Sequence, residues 1–137
     1  MNKHDELTGT FVLVHPELVY DPAGKSNEIG IISTASLEDD NVIVSFGKEG
    51  QALFSADALL VLRKPNDIHF DAVRDARQLE VKDFKNILQV SLLANSPWIK
   101  ERRQAIELCR DNPKVLQYSM ASLEQELGLK HDYNISR

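Results

Sequence analysis

The stretch GIISTASLEDDNVIVSFGKEGQALFSADALLVL, residues 30–62, decides the reading of the fold. At its centre Asn41 to Phe46 alternates, with Val42, Val44 and Phe46 on one face of a strand and Ile43 and Ser45 on the other. The acidic turn Glu38-Asp39-Asp40 precedes this strand and Gly47-Lys48-Glu49-Gly50 follows it, so Gln51 to Ser55 is expected to return as a hairpin partner. Ser55-Ala56-Asp57-Ala58 reads as one helical turn, and Leu59 to Leu62 as a last strand. Upstream, Glu28 to Thr34 reads as a strand in which Gly30 marks a sharp bend or a close backbone approach. Phe11 to His15 reads as the first strand, stopped by Pro16 because proline cannot donate to a ladder. Between those two, Pro16, Asp21-Pro22, Gly24 and Ser26-Asn27 supply the turn chemistry of a long excursion.

Five short strands with a long first loop, a hairpin and one helical turn before the last strand follow the order of the small SH3-like barrels. Residues 30–62 resemble the "G-x-V … V-x-V-x-F … G … L" run of that superfamily, which includes KOW and Tudor-type modules, and the likeness extends over residues 10–62. The resemblance implies an α+β protein whose residues 1–64 form a five-stranded SH3-like barrel. It implies a binding module more often than a catalyst, and it names no ligand, because one fold hosts many functions. No family is recognised for the second half.

Charge and pattern both change near Lys64-Pro65. Up to Lys64 the chain holds five basic and ten acidic residues, and from Pro65 onward eleven of each, so the acidity belongs to the first half. Beyond the boundary, at about Arg63 to Asn66, helical period replaces short apolar runs. Residues 65–137 are expected to form three or four helices packed on the barrel. Asn66 or Asp67 caps a first helix reaching about Arg77, and a second runs from about Val81 to Asn95 with Phe84, Ile87, Leu88, Ser91 and Leu92 on one face. Ser96-Pro97 and Asn112-Pro113 each pair an N-cap with proline at the first helical position and predict the third and fourth helix starts. The fourth helix carries Leu116, Met120, Leu123 and Leu127 and stops at Gly128; the tail from about Leu129 is expected to fray.

Composition narrows the function. With 137 residues, 42% hydrophobic and 27% charged, the chain can bury a core, and its net charge of −5 argues against a protein built to grip phosphate backbones. Cys109 is the single cysteine and reads as a small buried hydrophobe on the third helix. Met1 to Gly9 is polar without a signal-like apolar run, and no stretch reaches membrane-span length, so a soluble cytoplasmic protein is expected. Gly24-Lys25-Ser26 resembles the end of a phosphate loop, but Val19 stands where the first glycine belongs and a strand follows. His4, His15, His69 and His131 are scattered without ligand spacing, and the Glu38 to Asp40 turn lacks the alternating ligands of a calcium loop. No cofactor, metal or catalytic set is expected.

What remains is an interaction module recognising a protein or peptide, a second copy of the chain being one such partner. A KOW-like nucleic-acid module and a small enzyme assembled from distant residues are the alternatives. Two surfaces are candidates. One is the uncharged segment between Lys85 and Lys100, NILQVSLLANSPWI, where Val90 and Leu93 form a second apolar face and Trp98 is an anchor. The other is the barrel loops, with Tyr20 in the long first loop and Glu38, Asp39 and Asp40 in the acidic turn.

Overall fold

The computed structural model describes residues 7–127. The strict alternation of Asn41 to Phe46 forms β3 (Asn41–Ser45), whose Val42 and Val44 are wholly buried while its other face is part-exposed. Around it lie β1 (Phe11–Val14), β2 (Ile29–Ser36), β4 (Gln51–Phe54) and β5 (Leu59–Leu62), with a 3-10 turn at Ala56–Ala58 before β5. A sixth strand, β6 (Met120–Ser122), completes the order β4-β3-β2-β1-β5-β6, and the registered pairs from β4 through β5 are antiparallel. The expected five-stranded closed barrel is therefore corrected to an open sheet of six strands. β6 lies beside β5 at one end of the order, and at the other end β4 pairs with β3 alone among the described residues, which leaves its outer edge free of any described strand.

Gly30 lies inside β2 at a close approach. A Cβ there would collide with Val44 Cγ1 and come within 2.9 Å of Phe46 Cε1 and 3.0 Å of the Ser45 carbonyl. β2 runs on past Thr34 to Ser36, pairing with β3 through a register shift between Ile32 and Thr34, where the Ser33 hydroxyl donates to the Ile43 carbonyl at 3.1 Å.

The chain divides into two compact units, residues 7–61 with 122–127, and residues 62–121. The core of the first gathers Val12, Val14, Ile32, Val42, Val44, Phe54 and Leu59 with Leu123 from the far end of the chain. Each such side chain contributes roughly 1.5–3 kcal/mol of transfer free energy. Phe46, half-buried at the edge of this core, meets Phe54 edge-to-face at 6.1 Å.

The second unit is helical: α1 (Pro65–Arg74), a 3-10 turn at Ala76–Gln78, α2 (Val81–Ala94), α3 (Ile99–Arg110) and α4 (Pro113–Ser119). α2 is its central helix, packed against α1, α3 and α4. Asn112 caps α4 as its sequence predicts, accepting from the Lys114 amide at 2.9 Å and the Val115 amide at 3.4 Å, with Pro113 first in the helix. Ser96-Pro97 behaves differently. Helix α3 begins two residues later with Trp98 at the cap, and Ser96 Oγ accepts from the Trp98 amide at 3.1 Å instead.

The long fourth helix is a further correction. It ends at Ser119, Met120 turns extended (φ −127°, ψ 156°), and after β6 a separate helix α5 (Leu123–Leu127) follows. Arg63 explains the break: its amide donates to the Ser119 carbonyl at 2.9 Å and its guanidinium to the Tyr118 carbonyl at 2.7 Å. These bonds take the carbonyls that a continuing helix would use. The Gly128 stop and the tail from Leu129 lie outside the described residues. Among the described residues no helix is long and apolar enough to cross a membrane.

Candidate functional site

The long segment between β1 and β2 is held by its own side chains. Asp21 accepts from the Lys25 amide at 3.1 Å and the Ser26 amide at 2.8 Å, closing a turn in which Gly24 takes φ +66°. Ser26 Oγ donates to the Pro16 carbonyl at 3.1 Å, and the Leu18 amide to the His15 carbonyl at 3.2 Å. The result is a fixed platform with Tyr20 standing 80% exposed upon it. Lys25, the one lysine of this segment, is engaged elsewhere: its Nζ lies 2.7 Å from the Glu49 carboxylate and 5.2 Å from the Phe46 ring centre.

Opposite the platform, Asp40 turns the chain from β2 into β3 with φ 56°, and its Oδ1 accepts from the Ala56 amide at 2.8 Å. That bond ties the acidic turn to the 3-10 turn before β5. Between the two lies a groove of about 340 Å³, lined chiefly by Leu18, Tyr20, Pro22, Leu53 and Phe54 with Asp40 at its edge. Leu53 is 59% exposed. No lysine, arginine or histidine is among the lining residues, so the groove is apolar with a single carboxylate.

Of the residues singled out from sequence, Tyr20 and Asp40 come together in this groove. Glu38 and Asp39 are exposed in the same turn without lining it, and Asp39 accepts from the Ser36 hydroxyl at 3.0 Å. In the second unit Trp98 is 68% exposed. Val90 and Leu93 are corrected: both are buried, because α2 has helices on more than one side, and the large apolar residues that α2 turns outward are Val81 at its start and Leu92, 71% exposed. Sequence reading missed Leu53, although Phe54 pointing inward puts Leu53 on the outward face by simple alternation.

A second concavity, about 200 Å³ in the helical unit, is polar and was not anticipated. Arg63 pairs with Asp71 at 2.8 Å, Arg74 with Asp71 at 3.0 Å and with Asp75 at 2.9 Å, and the Tyr118 hydroxyl donates to Asp75 Oδ2 at 2.7 Å. The hydrogen bond from Arg74, then that from Tyr118, holds Asp75 down to about 2, and the same contact with Asp75 pushes the Tyr118 hydroxyl up. These contacts make an ion-pair and hydrogen-bond network joining α1 to α4.

Burial pushes the Cys109 thiol up to about 12, which removes the thiolate a nucleophile needs. His15 Nδ1 accepts from the Glu17 amide at 3.1 Å, and His69 is exposed on α1; His4 and His131 lie outside the described residues. Among the described residues no three histidines, cysteines or carboxylates group as metal ligands. Compared with models of known protein families, with curated proteins and with solved structures, the chain matches none.

Proposed function

We propose that the first unit is a non-catalytic binding module that holds a short peptide carrying an apolar side chain beside a lysine or arginine. The groove between Tyr20 and Leu53 carries this reading: an apolar trough on a rigid rim, with an exposed tyrosine at its lip and no cation in its lining. Tyrosine suits such a rim because it offers a large apolar face and a polar tip at little conformational cost. The Glu38-Asp39-Asp40 turn beside the groove favours a basic neighbour, in keeping with five basic against ten acidic residues in the first 64. The order β4-β3-β2-β1-β5 with a 3-10 turn before β5 supports an SH3-like reading of residues 10–62, held here as an open sheet.

The test is a fluorescence anisotropy titration with a labelled, alternating Lys-Val octapeptide. Saturable micromolar binding is expected, lost in Tyr20→Ala and weakened in Glu38→Lys, with an alternating Glu-Val control failing to bind. Equal binding by Tyr20→Ala, or by the acidic peptide, overturns the reading.

A further inference from the structure

We infer that the peptide is held as an added strand on the free edge of β4, its side chains dropping into the groove and its basic residue beside the acidic turn; this rests on the groove reading above. The pairing pattern fixes which groups are open. The Phe46 amide donates to the Gly50 carbonyl at 2.8 Å while the Gly50 amide turns to the Gly47 carbonyl, so position 46 faces β4, and the register Val44↔Ala52 and Val42↔Phe54 continues that alternation. Ala52 and Phe54 therefore direct their backbone groups at β3. Gln51 and Leu53 direct theirs away from it, toward an edge where no strand follows and where no partner is found among the described residues.

An exposed edge of this kind is a template for another extended chain. Here it leads into the groove, because Leu53 belongs to both: its backbone faces the open edge and its side chain lines the trough with Tyr20. A strand of four residues spans roughly 13 Å at about 3.3 Å per residue, so the occupant is a short extended segment. Backbone pairing gives such a ligand its direction, and alternate side chains give it specificity: apolar ones toward Tyr20 and Leu53, and a lysine or arginine toward the Glu38-Asp39-Asp40 turn at the start of β3.

The experiment uses the full chain and the same Lys-Val octapeptide in two backbone-methylated forms, one methylated on the valine amides and one on the lysine amides. In an extended strand these two sets point to opposite edges, so one form must lose binding and the other keep it. Strand addition predicts a loss of about tenfold or more for one form only, since several backbone hydrogen bonds go together. It also predicts slowed hydrogen exchange at the Gln51 and Leu53 amides when the unmethylated peptide is bound. If both methylated forms bind like the parent, or both fail equally, strand addition is overturned while groove binding stands. If the parent does not bind at all, the groove reading falls and takes this inference with it. If the free protein is a dimer by light scattering with the Leu53 amide already protected, the edge belongs to a second copy and the inference is overturned.

Discussion

Gly30 sits where a methyl group has no room, since Val44, Phe46 and the Ser45 carbonyl already occupy the space a Cβ would need. Gly30→Ala is expected to destabilise the protein by about 1–3 kcal/mol, as overpacking of a tight core does, measured by denaturant unfolding. The sequence pointed to this residue because a glycine inside an otherwise β-branched strand asks for a reason. Asp75 offered no such sign. Its partner Tyr118 stands 43 positions away, and only tertiary structure brings the two within 2.7 Å. Because Asp75 is held near 2 in the folded protein against 3.8 ordinarily, the folded state binds fewer protons than the unfolded state between those values. The stabilisation is thus present above pH 3.8 and is lost as pH falls toward about 2. Asp75→Asn is expected to flatten that acid limb of the stability curve; a limb unchanged from wild type would contradict the assignment.

At the scale of elements, local chemistry that completes itself within a few residues was legible. Asn112-Pro113 caps α4 where the residues require it, and β3 follows its alternation. Asn112→Ala is expected to cost about 1–2 kcal/mol in thermal or denaturant unfolding, because the side chain serves the Lys114 and Val115 amides and also donates to Asp83 at 2.9 Å. Elements whose fate depends on distant partners were not legible. Leu116, Met120, Leu123 and Leu127 have helical spacing, yet Arg63 claims the carbonyls of Tyr118 and Ser119 and the helix stops there. The periodicity of α2 likewise named its apolar residues but not which of them face outward, since Leu92 and Leu93 differ only by which side the neighbouring helices occupy.

At the scale of the whole molecule, the chain leaves the first unit after Val61 and returns to it at Ser122. Leu123, 2% exposed, belongs to the first unit's core, and helix α5 packs against the 3-10 turn at Ala56–Ala58 that also anchors Asp40. Leu123→Ala is therefore expected to destabilise the first unit by about 2–5 kcal/mol, with hydrogen exchange quickening in β1, β3 and β5. The change of charge and period near Lys64 falls close to the point where the chain leaves the first unit. The return of residues 122–127 was hidden, because a short leucine-bearing helix looks the same whichever unit receives it. For the site, the sequence named Tyr20 and the acidic turn but could not say that the two flank one groove. The most direct measurement of that claim is an amide nitrogen–proton correlation spectrum of the full chain titrated with the Lys-Val octapeptide. Shifts concentrated in residues 18–23, 38–41 and 51–58 are the predicted result, and shifts centred on Leu92, Trp98 and Ile99 with the groove unmoved would contradict it.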